Sequence, residues 1–169
     1  AAQEHSGEIT LLRVTDPLRP TMIAQTRIGG AIYSEFSAIR FSPDGRWLAA
    51  VHRTILTAWP ITPRGFGDPI VLDTTTIPEL NERGESNLRT HADNPMTCLA
   101  WDPTSRFIAT GENNWVLRLW SLPSRSQLGW LGTEAPLTGV YWNQSAQVIG
   151  TTALPFWWIW DLETGSPHK

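Results

Sequence analysis

MTCLAWDPTSRFIATGENNWVLRLWSL, residues 96–122, decides the fold. An apolar run closes on Trp101, and the polar turn Asp102-Pro-Thr-Ser-Arg106 follows. A second short apolar run leads to Glu112-Asn-Asn114, and a third ends on Trp120. Each run is short, bounded by turn residues and rich in β-branched and aromatic side chains, the pattern of strands and not of helices. Alternation is readable in residues 36–41 and 116–120.

The same reading recurs twice. FSAIRFSPDGRWLAAVHRTILTAWPI (residues 36–61) and LTGVYWNQSAQVIGTTALPFWWIWDLETG (137–165) align with it. In each copy an aromatic closes the first strand, at Phe41, Trp101 and Trp142. A tryptophan ends the third, at Trp59, Trp120 and Trp160, with separations of 18, 19 and 18 residues. A fixed spacing kept in three copies is a structural repeat. Pro43-Asp44-Gly45 and Pro103-Thr104-Ser105 punctuate the first two copies.

Composition agrees with a packed β chain. There are 169 residues, 41% of them hydrophobic and only 17% charged, with ten tryptophans and 26 prolines and glycines together. That is too aromatic and too weakly charged for a disordered chain, and too rich in helix breakers for a helical one. The formal net charge of −3 and the lack of a Lys/Arg-rich run give no reason to expect nucleic acid as a partner. No stretch approaches the length of a membrane-spanning helix, and no membrane partner is expected. A single cysteine, Cys98, excludes an intrachain disulfide and a multi-cysteine metal site, and suggests a reducing, cytoplasmic setting. Within an apolar strand it reads as a buried, inert thiol.

With these residues in hand, the chain resembles the WD-repeat (tryptophan–aspartate repeat) β-propellers. The resemblance is carried by Phe41-Ser-Pro-Asp-Gly-Arg-Trp-Leu-Ala49, Leu117-Arg-Leu-Trp-Ser121 and Trp158-Ile-Trp-Asp-Leu-Glu-Thr-Gly165. Such repeats run to about 40–45 residues and form four-stranded blades. Trp120 and Trp160 lie 40 residues apart, whereas Trp59 and Trp120 are separated by 61, so one link carries an insertion. The resemblance implies an all-β partial propeller of four-stranded antiparallel blades, about three and a half of them, spread over nearly the whole chain.

The expected organisation divides the chain into five parts. Residues 1–29 hold the end of a preceding blade and the outer strand of the next, and 30–73 a first full blade. Residues 74–95 form an inserted loop, 96–136 a second blade and 137–169 a third, cut before another full strand can form. A propeller of 4–8 blades would then need its remaining blades from the parent chain or from a second copy.

The family's buried hydrogen-bond network transfers unevenly. His91, Thr110, Asn114 and Trp120 stand near its positions in the middle copy, with asparagine in place of aspartate. The first copy has Arg53 where the aspartate would be, the last has Leu154, and Thr133 stands in the histidine's place. The closing dipeptide is Trp160-Asp161 only in the last copy, with Trp120-Ser121 and Trp59-Pro60 in the others. The outer copies are expected to depend on apolar packing. In the last copy Trp157 is expected to face the interblade core, and Trp158, at the place of Arg118 and Thr57, the opposite sheet face.

Function is expected on one face. The inserted loop, with Arg83, Glu85 and Arg89, would lie beside the turns carrying His52, Arg53, Asn113, Asn114 and Trp115. Tryptophan and arginine dominate binding hot spots, so this cluster is the candidate site for a protein or peptide partner. Against it stands the plainer and favoured expectation that Trp115 packs on its neighbouring blade. Trp130, on an outer strand, is expected to be partly exposed.

No nucleophile elbow, phosphate-cradling loop or metal-loop spacing occurs, and His52 has no carboxylate near it in sequence. The expectation is a non-enzymatic interaction scaffold with no catalytic, metal or cofactor residues. Two alternatives stand beside it: an accessory domain of a larger signalling or hydrolytic enzyme, and a self-associating half-propeller.

Overall fold

The computed structural model describes residues 8–16, 18–27, 37–73, 95–113, 115–132, 137–144, 148–153, 156–161 and 167–168. All regular elements among them are strands. A hairpin of β1 (Glu8–Arg13) and β2 (Thr21–Arg27) comes first.

The first blade follows: β3 (Ala38–Phe41), β4 (Trp47–His52), β5 (Ile55–Thr62), β6 (Gly65–Phe66) and β7 (Ile70–Asp73). Both β6 and β7 pair with β5, at its end and its beginning respectively. They are therefore one outer strand interrupted between Phe66 and Ile70, where Pro69 has no amide hydrogen to give.

The second blade is β8 (Met96–Trp101), β9 (Phe107–Glu112), β10 (Val116–Ser121) and β11 (Ser126–Gly132). The third is β12 (Gly139–Trp142), β13 (Val148–Ala153), β14 (Phe156–Asp161) and β15 (Pro167–His168). Each blade is an antiparallel meander in sequence order. Three blades and a hairpin match the expected three and a half.

One sequence expectation needs correction here. Residues of β2 pair with β1, from Glu8↔Arg27 to Arg13↔Thr21, so β2 completes the preceding hairpin and is not the outer strand of the first blade. A short link between two alternating runs favours the local hairpin over a distant partner. In the third blade only the two-residue β15 follows β14, paired through Ile159↔His168 and Trp160↔Pro167, short of a full strand as expected.

Packing follows from having a neighbour on both faces. Leu48, Ala50 and Trp59 meet Ile9 of the hairpin. From the same blade Ala49, Val51, Leu56 and Ala58 meet Met96, Leu99, Ile108 and Trp120. Ala109, Leu117 and Cys98 then meet Leu137 and Val140 of the third blade. Successive residues of a strand point to opposite faces, so a blade between two others buries consecutive residues, as β4 and β9 do along nearly their whole length. The opposite sheet face assigned to Thr57 and Arg118 is thus itself interblade core: both are buried, on the same faces as Trp59 and Trp120.

Two polar devices tie the blades together. Trp101 Nε1 donates to the carbonyl of Arg40 at 3.1 Å, and Trp142 Nε1 donates to that of Ala100 at 3.2 Å. The strand-closing tryptophan of one blade thus grips the innermost strand of the blade before it. Phe41, the third member of the series, has no N–H to give and stands 53% exposed. At the turns, the Asp44 amide donates to Ser105 Oγ at 3.2 Å. Ser42 and the backbone of Arg46 hold the Asp44 carboxyl below its usual pKa. Buried Asp102 organises the matching turn, accepting from the amides of Thr104, Arg106 and Phe107 at 3.0, 2.8 and 2.7 Å.

Candidate partner-binding face

Two turns from adjacent blades make the candidate face. The loop between β4 and β5 consists of Arg53 and Thr54, and that between β9 and β10 of residues 113–115. Short hairpin loops demand a residue with positive φ, a place where glycine is cheapest. Here Arg53 has φ 52° and Trp115 φ 69°. A left-handed non-glycine residue costs roughly 1–2 kcal/mol.

The chain returning to the second blade stitches these turns together. The Met96 amide donates to the Arg53 carbonyl at 2.7 Å, and the Asn113 amide to the Pro95 carbonyl at 3.1 Å. Arg53 and Asn113 are exposed, as expected. Trp115 is 49% exposed, so about half of its surface is open to solvent and the rest is covered.

His52 is also corrected. It sits at the end of β4 with its side chain buried, and does not join the exposed surface. Burial first, and the neighbouring Arg53 charge second, hold its pKa below the ordinary histidine value. Arg83, Glu85, Arg89, His91 and Asn114 lie outside the described residues.

Of the repeat residues, Trp59 and Trp120 are buried as required. Trp120 Nε1 donates to Thr110 Oγ1 at 2.8 Å, the part of the expected network that falls on described residues. Trp160 and Asp161 end β14, paired with Ile149 and Val148. Cys98 is buried, and burial raises its thiol pKa, which leaves it protonated and unreactive at neutral pH. Trp130 is partly exposed on β11.

Sequence reading missed the buried ion pair of Arg118 with Glu112, both essentially inaccessible to solvent. Arg118 Nη1 also donates to Gln127 at 3.2 Å. The three residues sit on three neighbouring strands, β10, β9 and β11, so only the register brings them together. Among the described residues no group of three or more His, Cys, Asp or Glu is placed to hold a metal ion.

Four-stranded meanders stacked face to face define the β-propeller class, and here tryptophans of the second and third blades each bond the blade before. Residues 84–121 match the family of the WD domain, G-beta repeat. Two solved structures, the RRP9 WD40 repeats and U3-55K, superpose with a TM-score of 0.62 each at 14% identity. Each match covers 80% of this chain and 38% of the solved chain. No curated protein sequence matches this one. The chain therefore carries a WD repeat and has the WD-repeat propeller fold, and it spans well under half the length of those two solved chains.

Proposed function

We propose that this chain is part of a non-catalytic interaction scaffold, binding a protein or peptide through the face of Arg53, Asn113 and Trp115. The observation that carries the reading is Trp115, half-exposed in a backbone conformation that costs energy. A strained residue persists where the surrounding structure over-determines it, and such positions concentrate at binding sites. Large aromatics on a rigid turn also lose little entropy on binding. Propellers of this fold generally mediate protein–protein contacts, which supports the class of partner.

The test pairs stability with binding. Trp115→Gly relieves the backbone and removes the ring. The variant should melt no lower than the parent chain, and a photo-crosslinker placed at position 115 in cells should capture a discrete protein that one placed at Trp130 does not. A drop of several degrees in the Trp115→Gly melting temperature would assign the ring to packing instead. Capture of the same proteins from both positions would also count against the site.

A second reading is self-association through the hairpin. It is favoured by exposed Leu12, Val14, Leu18 and Met22 on that element. Apolar side chains gathered on one exposed element mark a contact surface.

A further inference from the structure

Glu112 ends β9 immediately before the turn that carries Trp115, and Arg118 stands three residues beyond Trp115 on β10. Two bonds join them across the hairpin. Arg118 Nε donates to Glu112 Oε1, and Nη2 donates to Oε2 at 3.3 Å. The third guanidinium nitrogen, Nη1, is held by Gln127 on β11. A two-point contact between a planar guanidinium and a carboxylate fixes direction as well as distance. Glu112 also stands opposite Met96 in the register of β8 and β9. The Met96 amide is bonded to the Arg53 carbonyl, and the Asn113 amide to that of Pro95. The ion pair thus lies at the root of both turns of the candidate face.

Comparison of the repeats sets this pair apart. Trp59, Trp120 and Trp160 pair with Leu48, Ile108 and Ile149. By that register Glu112 corresponds to His52 and Ala153, and Arg118 to Thr57 and Trp158. Neither of the other blades has the residues to form the pair. It occurs in the blade that displays Trp115 with φ 69°. Net stability does not explain its presence, because two charges taken from water recover little of that cost by meeting. Apolar side chains of similar volume would fill the same space. What they would lack is direction.

We propose that Glu112 and Arg118 are positioning residues for the partner-binding face. Their two-point contact holds the end of the β9–β10 hairpin in the geometry that keeps Asn113 bonded to Pro95 and presents Trp115. The proposal builds on the binding role of that face, while its geometric half can be measured without a partner.

The experiment uses the full 169-residue chain and the double variant Glu112→Leu, Arg118→Met. Its urea midpoint should match the wild type, since apolar replacement of a buried pair is often neutral. Amide exchange followed by NMR should still quicken at least about tenfold at Asn113 and Met96, with the mid-strand amides of β8 and β9 unchanged. Arg118→Lys keeps the charge and gives up the two-point contact, and should loosen the same two amides. In the double variant, a photo-crosslinker at position 115 should lose the protein that it captures in the wild-type background. Unchanged exchange at Asn113 and Met96 overturns the proposal. So does faster exchange spread evenly over all strands, which would make the pair a general stabiliser, or undiminished capture from a loosened turn. Where the double variant does not fold, Arg118→Lys decides by the same two amides. If the wild-type background captures no discrete protein, the binding role of the face fails, and the exchange result still decides whether the pair positions the turn.

Discussion

Trp120 concentrates the repeat's energetics in one side chain. It is 1% exposed, lies in the contact between the first and second blades and spends its indole N–H on Thr110. Trp120→Ala removes the ring, leaves a cavity and strands the Thr110 hydroxyl, and should cost about 3–5 kcal/mol. Trp130→Ala, on the exposed rim, should cost under about 1 kcal/mol. Urea midpoints check the pair, and equal midpoints would remove Trp120 from the core. The ion pair of Glu112 and Arg118 beside it has a different character. Burying both charges is expensive, so the pair contributes little net stability, though loss of one partner leaves an uncompensated charge.

At the scale of elements, the outer strand of the first blade governs how the hairpin docks. Gly65 has φ 120°, and a Cβ built on it would stand 2.5 Å from Ala24 Cβ on β2. Neither the conformation nor the space suits a larger residue. Gly65→Ala should therefore push β2 away and destabilise its contact by roughly 1–3 kcal/mol, the usual cost of overpacking. Amide hydrogen exchange reads this locally: protection should fall in β1 and β2 while β8–β10 are unchanged. Uniform loss across all strands would mean that the hairpin and blades unfold as one unit.

For the whole molecule, the governing fact is that each blade needs a neighbour on both faces. The first and second blades have one on each side, and their middle strands are buried on both faces accordingly. The hairpin leaves Leu12, Val14, Leu18 and Met22 in water. Light scattering on the isolated chain should therefore give a concentration-dependent mass above 18.9 kDa. The double variant Leu12→Lys, Met22→Lys should return it toward the monomer value. A mass of 18.9 kDa at all concentrations would sink the self-association reading.

The β class, the repeat and the blade boundaries near Trp59, Trp120 and Trp160 follow from the sequence alone, because strand alternation, turn chemistry and aromatic spacing are local in the chain. Burial of Trp59, Trp120 and Cys98 follows too, since an apolar strand in a stacked sheet has no other place for them. The rest depended on strand register, on turn geometry and on which sheet faces which. Register alone brings Glu112, Arg118 and Gln127 together, and turn geometry alone decides that Trp115 stands out while His52 turns in. The burial of Thr57 and Arg118 likewise arises only when neighbouring sheets meet, because a side chain's surroundings there are set by the facing sheet and not by its own strand.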